Sequence, residues 1–282
     1  MHLNNVGSLW LRRYAVFVAC CTFGLVIAGG LVTSNDAALS VPDWPLSWGR
    51  LVPTWEGGIR YEFAHRVAAM LVGLLTVGLA LAMRTRLAWA AVVVVLAQAA
   101  LGGVAVKFVT PAWATIAHAS LGQLFFALMV AICVGLFAGF EGRSPGHGPT
   151  MICTVALFAQ TILGAGVRYG VVAAVAHIVG AVLATILVMW AGLSILMQNM
   201  DNPRLRRPAM LLLSVTFSQV FLGIGALMAR VAYADAPQPM PMMVLFTVAH
   251  VAVGSLAVGA AVALAMLARP DSLRVHGGMV TA

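Results

Sequence analysis

Four histidines inside long apolar stretches of the chain are the first residues whose type and spacing could do chemistry. They are His65, His118, His177 and His250. Each lies near the start of an even-numbered stretch, about 8–12 Å below its end at a helical rise of about 1.5 Å per residue. Ionisable groups within a membrane are costly, so they usually face a bundle interior and serve a function. The other histidines fall in tails or a loop, and they are His2, His147 and His276.

An acid accompanies only one of these histidines. In the segment YEFAHR, Glu62 and His65 are three residues apart and share one face of a helix, and Arg66 follows directly. The corresponding region of the second half of the chain has Ala173 and Ala174 and no acid. A carboxylate at one of two similar sites predicts that one bound group is acted upon while the other is held.

A Gln-x-x-Leu-Gly pattern recurs in the odd-numbered apolar stretches. The copies are QAALGG (98–103), QTILGAG (160–166), QVFLGIG (219–225) and a degenerate VIAGGLV (26–32), with Val26 in the glutamine position. A cation follows each clear copy at the outer end of its stretch, namely Lys107, Arg168 and Arg230. The repeat predicts two tandem halves, residues 1–140 and 141–282, related by an axis along the membrane normal.

The elements that position these residues are membrane helices. Hydrophobic residues make up 62% of the chain, charged residues 9%, and the mean hydropathy is +1.00. A hydrocarbon core of about 30 Å needs roughly 20 apolar residues per helix. Spans are predicted at 14–34, 62–83, 87–106, 113–139, 150–167, 172–197, 208–229 and 243–268. The predicted fold class is all-α: a polytopic membrane protein with eight transmembrane helices in two tandem, pseudo-twofold four-helix bundles.

The basic residues predict the orientation in the membrane. With the N-terminus inside, the cytoplasmic cations are Arg12, Arg13, Arg84, Arg86, Arg143, Arg204, Arg206, Arg207, Arg269 and Arg274. Both termini are then cytoplasmic, and the histidines lie toward the outer side of the cell inner (plasma) membrane. Because the cations are spread through short loops, the net charge of +8 reflects topology and does not indicate nucleic-acid binding.

Two facing histidines in a four-helix bundle suit haem better than zinc. Zinc requires further Cys, His or carboxylate ligands, and the second half has none near His177 or His250. Haem needs two axial imidazoles, an apolar slot with small residues, and cations near its propionates. The propionate candidates are Lys107, Arg168 and Arg230, with snorkelling at the interface as the competing explanation.

The chain resembles the haem A synthase family, whose eight-span members convert haem O to haem A for cytochrome oxidases. The resemblance covers nearly the whole chain. It rests on GGLVTSNDAALSVPDWPLSWG (29–49), YEFAHR (61–66), IAHASLGQ (116–123) and the pair His177 and His250. The implied reaction is stepwise oxidation of the C8 methyl group of haem O, through an alcohol, to a formyl group.

The resemblance also implies a role for each membrane histidine. His65 and His118 would be the axial ligands of the substrate haem O, with Glu62 as the catalytic acid. His177 and His250 would be the axial ligands of a haem b. The implied partners are haem O as substrate, a haem O synthase, an electron acceptor such as a quinone, and the lipid bilayer.

One departure from the family concerns the first outer loop. Many members have cysteines where this chain has Val41 and Ser47 around PDWPL, so a disulfide there is excluded. Asp43 and Trp44 remain as candidates for a lid over the substrate pocket, with a purely structural turn as the alternative. Arg66 is a further pocket candidate. The cysteines of the chain lie within or at the ends of predicted spans and are expected to be buried small hydrophobes: Cys20, Cys21, Cys133 and Cys153.

Two other functions fit part of the pattern. A dihaem b-type cytochrome would only transfer electrons, for example from quinol, and would not modify its haem. Glu62 argues against this function, because electron transfer needs no carboxylate beside one haem alone. A haem carrier or sensor would exchange its ligand at both sites.

Overall fold

The computed structural model describes residues 8–138 and 147–268, and within these ranges it contains eight α-helices. They are α1 (Leu9–Ser34), α2 (Ile59–Met83), α3 (Arg86–Lys107), α4 (Ala112–Phe137), α5 (His147–Arg168), α6 (Ala174–Gln198), α7 (Pro203–Ala232) and α8 (Pro241–Leu267). Each is long and apolar enough to cross a membrane. The predicted eight-span all-α fold is confirmed, and the protein is a multi-pass membrane protein. Several residues considered above lie outside the described ranges: His2, Arg143, Arg269, Arg274 and His276.

Several helices begin three to five residues earlier than predicted because polar residues add turns beyond the apolar stretch, and α7 and α5 are examples. α7 begins at Pro203 rather than at residue 208, since the Asn202 side chain accepts the Arg204 N–H at 3.1 Å and caps the helix. Proline suits the first helical position because its missing N–H would have no helical partner there. α5 begins at His147, so this histidine lies on a helix and the prediction of a loop is wrong.

Each set of four consecutive helices closes on itself. α1 contacts α2 and α4, and α3 contacts the same two helices; α5, α6, α7 and α8 form an equivalent ring. The two rings meet through contacts of α8 with α1 and α4, and of α4 with α5. The assignment of separate tasks to the two halves stays a prediction.

The rings are held by close packing and by interhelical hydrogen bonds. Val72 and Leu79 lie in a buried cluster of the first ring, and Val188 and Leu212 in one of the second. Because lipid tails are as apolar as these side chains, fit between helices matters more here than transfer out of water. The Tyr14 hydroxyl, for example, donates to the Leu75 carbonyl oxygen at 2.9 Å and ties α1 to α2.

The cysteines are unpaired, and their burial differs. Cys153 is buried, whereas Cys21 and Cys133 are half-buried, as small apolar residues can be. Cys20 is exposed on the surface of α1, so the prediction of burial is wrong for this residue. The physical reason is that a small apolar side chain on a membrane helix is as compatible with lipid as with protein.

Candidate functional site

The structure brings the four membrane histidines together as two facing pairs. The ring centroids of His65 on α2 and His118 on α4 are 6.5 Å apart, with the ring planes at 78°. The centroids of His177 on α6 and His250 on α8 are 6.2 Å apart, with the planes at 85°. The two halves of the chain therefore present nearly the same arrangement of imidazoles.

This separation fits a metal atom bound between the two rings of each pair. With metal–nitrogen bonds of about 2 Å to two opposite imidazoles, ring centroids lie about 6 Å apart. Among the residues that the structure describes, no three His, Cys, Asp or Glu side chains form a group that could hold a metal ion. The pairs therefore lack the extra protein ligands of a zinc site and supply the two that a haem iron needs.

Each of the four imidazoles lies against a glycine of the preceding helix. A Cβ built on that glycine would approach the imidazole Cε1 closely, in the pairs Gly29–His65 (3.2 Å), Gly102–His118 (3.3 Å), Gly164–His177 (3.1 Å) and Gly223–His250 (2.9 Å). Any larger residue would push the ring toward its partner or out of the pocket. These glycines therefore set the position of every candidate ligand.

The same contacts correct the register of the degenerate repeat. Gly29 meets His65, whereas Gly30 packs against Val248 of α8. The residue four positions before the contacting glycine is therefore Leu25, and the prediction that Val26 holds the glutamine position is wrong. The sequence could not decide between the two registers because both positions hold glycine.

Glu62 lies one turn before His65 and is 4% exposed. Its Oε1 accepts a hydrogen bond from Arg66 Nη2 at 2.5 Å, and its Oε2 accepts the Val41 N–H at 2.9 Å. The ion pair compensates a charge that would be costly to bury alone. The carboxylate is thus fixed between its own helix and the outer loop.

Arg66 binds the outer loop to α2. Its Nη1 donates to the carbonyl oxygens of Asp43 and Leu46, at 2.8 and 2.9 Å. Its Nη2 donates to the carbonyl oxygen of Val41 at 3.1 Å as well as to Glu62. The planar fork of arginine suits such a set of oxygens, which the single ammonium of lysine would not match. The guanidinium that sequence reasoning assigned to the pocket is therefore engaged with the loop.

A two-residue hairpin turn shapes this loop. Ser47 and Arg50 exchange both backbone hydrogen bonds, at 2.9 and 3.0 Å, and Trp48 and Gly49 have the positive φ of a type I′ turn. The Asp43 carboxylate accepts the N–H groups of Trp48 and Gly49, at 2.6 and 2.7 Å. The hydrogen bond from Gly49, together with that from Trp48, holds the pKa of Asp43 below its ordinary value. In the structure Asp43 caps this turn.

Trp44 fixes the loop to a second helix. Its indole lies on Gly103 of α3, where a Cβ would come within 3.1 Å of the ring. The imidazole of His118 lies against the neighbouring Gly102. The loop therefore spans from Arg66 on α2 to Gly103 on α3, next to the first histidine pair.

The three cations predicted near propionates have different surroundings. Arg168 Nη2 donates to the Thr33 carbonyl oxygen and lies 3.7 Å from the Asp36 carboxylate, both in the first half. Lys107 and Arg230 lie at the ends of α3 and α7 and are exposed. Their propionate roles stay predictions, and Arg168 connects α5 with the end of α1.

Sequence reasoning missed three sets of contacts at this site. The ion pair between Glu62 and Arg66 had a signal, because residues four apart on a helix can pair. The loop carbonyl groups that Arg66 binds had none, since backbone acceptors leave no trace in residue types. The glutamines of the repeat were noticed only as a pattern, although Gln160 Nε2 lies 2.9 Å from His177 Nδ1.

Replacing Gly223 with alanine is expected to displace His250, because the new methyl would lie 2.9 Å from the imidazole. Alanine otherwise stabilises a helix by about 1 kcal/mol relative to glycine. A loss of bound haem would therefore come from the contact with the imidazole and not from a weaker helix. The measurement is the low-spin haem absorbance of the purified protein, which should fall. Gly73→Ala on α2, where nothing lies within 4 Å of the added methyl, is the matched control. Equal absorbance in the two variants would contradict the role of the glycine contact.

Arg66→Lys is expected to loosen the outer loop, because lysine keeps the charge and loses the fork that binds three carbonyl groups. Chymotrypsin cleavage after the exposed Trp48 and Trp55 should become several-fold faster. Arg60→Lys is the control, since the Arg60 guanidinium stacks on Tyr61 and makes no contact with the loop carbonyls. Unchanged cleavage in Arg66→Lys would show that the loop is held by other contacts.

The curated proteins that match this chain are all named heme A synthase. A "Heme A synthase" from an Exiguobacterium species is 30% identical over 142 aligned residues, covering 45% of this chain and 47% of that protein. One from Exiguobacterium sibiricum is 30% identical over 137 residues, covering 44% and 46%. One from Symbiobacterium thermophilum is 32% identical over 122 residues, covering 39% and 40%.

The match spans less than half the length of these curated relatives. No protein-family model matches the chain. The resemblance that the sequence motifs indicate is nevertheless confirmed by these relatives: the chain is similar to heme A synthases.

Proposed function

We propose that this protein is a membrane oxidoreductase that converts haem O to haem A by oxidising the C8 methyl group to a formyl group. The observation that carries the proposal is a buried acid beside only one of two similar histidine pairs. Glu62 lies one turn before His65, whereas the second half has Ala173 and Ala174 in the corresponding region. The similarity to heme A synthases supports the same reaction.

In this proposal the two histidine pairs hold different haems. His65 and His118 bind the iron of the substrate haem O, and His177 and His250 bind a haem b. When bound, haem b supplies an electron-transfer centre that carries electrons from the oxidised substrate toward an acceptor. The glycine contacts of the chain set the position of each imidazole along its helix and the spacing between the two imidazoles of a pair.

Glu62 is the group suited to handle charge at the reacting edge of the substrate. Paired with Arg66, its carboxylate can stabilise positive charge that develops as the methyl group loses electrons, or accept the proton that leaves. Its low exposure keeps bulk water from competing for the carboxylate. Because Arg66 also binds the loop, the position of the acid is tied to the position of the loop.

The proposal extends to partners and orientation. A haem O synthase would supply the substrate, water would supply the formyl oxygen, and an electron acceptor such as a quinone would receive the four electrons as four protons leave. The histidine pairs lie toward the ends at which α2, α4, α6 and α8 begin. Arg84 follows α2 and Arg86 begins α3, both at the opposite end, and this supports an orientation with the pairs toward the outer side and both termini in the cytoplasm.

Glu62→Gln is expected to keep bound haem and to lose conversion, because the amide has nearly the same shape and no charge. Loss of one stabilising group of this kind costs about 10²–10³-fold in rate. The measurement is extraction and chromatography of haems from membranes that also contain a haem O synthase. The wild type should yield haem A or its alcohol precursor, and the variant should yield haem O and haem B.

Glu56→Gln is the matched control, because Glu56 is an exposed acid in the same outer loop. It should give the wild-type haem A yield. A wild-type yield in Glu62→Gln would contradict catalysis by Glu62. A folded wild-type protein with bis-imidazole haem that produces no haem A would instead favour the electron-transferring cytochrome.

A further inference from the structure

The tip of the outer loop, residues 48–55, exposes its largest apolar side chains. Leu51 is 84% exposed and Val52 is 70% exposed. Trp48 and Trp55 are each more than half exposed. Contiguous exposed apolar surface of this kind marks an interaction surface. The contacts of Arg66 with the loop involve residues 41–46, so they leave the loop tip without a role.

The base of the loop, residues 41–46, is recessed among the helices. The Val41 N–H donates to Glu62, which lies in the first turn of α2. The indole of Trp44 lies on Gly103, four residues before the end of α3. At about 1.5 Å per residue, both contacts lie about 5 Å inside the ends of these helices. The loop tip therefore emerges from the bundle at the level where these helices end.

The loop tip returns to the bundle along α2. The ring of Trp55 meets the ring of Phe63 edge to face, with the centroids 5.9 Å apart. Phe63 lies near the start of α2, a helix long and apolar enough to cross a membrane. Phe63 is half-buried, so part of its side chain remains at the helix surface. The exposed apolar surface of the loop tip is thus continuous with the surface of a membrane helix.

A groove of about 300 Å³ lies at the loop tip. Its lining residues are Trp48, Arg50, Pro53, Thr54 and Ile59. The guanidinium of Arg50 is exposed and forms no ion pair with any residue that the structure describes. Arginine matches the geometry of a phosphate group, and the apolar walls beside it suit hydrocarbon. The groove therefore combines the two kinds of surface that a phospholipid presents at the boundary between headgroups and acyl chains.

We propose that the loop tip docks on the lipid bilayer, with its four exposed apolar side chains among the first acyl carbons and the Arg50 guanidinium on lipid phosphate. Tryptophan is enriched at membrane–water boundaries because its ring is apolar and its N–H group is polar. Arginine lays its aliphatic stem along apolar surface and keeps its charge among the headgroups. In the orientation proposed above, the lipid belongs to the outer leaflet.

The charge of the segment favours lipid over a protein partner. Arg50 and Arg60 outnumber Glu56, which is the one acid between residues 44 and 60. A cationic segment with exposed indole and aliphatic groups is attracted both to phosphate and to the acyl boundary. The segment between α3 and α4, at the same end of the bundle, continues this surface. Its exposed apolar side chains are Phe108, Val109 and Trp113.

The polar composition of another loop at this end of the bundle provides the comparison. The segment between α7 and α8 reads YADAPQPM (233–240), and none of its large apolar side chains is strongly exposed. Asp235 is exposed in this segment. We expect Asp235 to face water while Leu51 faces lipid.

The test measures the depth of a nitroxide spin label on the full chain in lipid nanodiscs, after the four native cysteines are replaced with alanine. Leu51→Cys carries the label at the loop tip, and Asp235→Cys is the matched control. Both replace exposed side chains, so neither is expected to disturb packing. Collisions of the label with oxygen, which concentrates in the bilayer, and with a water-soluble nickel chelate report its depth.

The label at residue 51 is expected about 5–10 Å into the boundary between headgroups and acyl chains. Its collisions with the nickel chelate should be several-fold fewer than those of the label at residue 235, and its collisions with oxygen more frequent. Arg50→Glu should move the label at residue 51 toward water, because the reversed charge is repelled by phosphate. Arg50→Lys keeps the charge and should leave the depth nearly unchanged.

Equal nickel collisions at residues 51 and 235 would overturn the docking of the loop tip. Protection of residue 51 from both reagents, with dipolar broadening between labels, would show that a second copy of the chain covers the loop tip and would overturn it equally. An unchanged depth in Arg50→Glu would overturn the contact with phosphate. Docking does not depend on haem chemistry, so each of these results would leave the proposed function unaffected.

Discussion

The contact between an imidazole and a bare glycine backbone is the constraint on which the rest of the structure depends. Four such contacts join odd-numbered to even-numbered helices, and each fixes the position of one imidazole ring between the helices and the direction in which it points. They explain why both histidine pairs have centroid separations near 6 Å, at 6.5 and 6.2 Å. In a membrane, where apolar transfer contributes little to helix association, small residues allow the close approach that holds helices together. The same glycines therefore serve both packing and ligand placement.

The first half adds a charged cluster to this shared scaffold. Glu62 and Arg66 neutralise each other, and both bind the backbone of Val41, so the acid, the cation and the loop form one unit. Val41 is fully buried, and Ser47 belongs to the hairpin turn, so the loop is fixed without the disulfide that these two positions would otherwise provide. Charge compensation thus allows a carboxylate to remain buried beside one imidazole pair, which is the asymmetry on which the proposed function depends.

The sequence predicts the helices well because hydropathy over about 20 residues is set by the bilayer itself. It also indicates which histidines belong together, since the repeat assigns one pair to each half. It fails where backbone groups are the partners: the carbonyl oxygens bound by Arg66 and the turn capped by Asp43 have no residue-type signal. It fails again at the register of the first repeat, where adjacent glycines leave the position of Leu25 undecided.

The central claim is that the two facing histidine pairs are separate haem sites with different tasks. Near-infrared magnetic circular dichroism of the purified protein, with haem quantified per chain, tests it most directly. In His250→Ala, the account predicts loss of the bis-imidazole signal of haem b, with haem O still bound by His65 and His118. An unchanged haem b signal in that variant would contradict the assignment of the second pair and the division of tasks that follows from it.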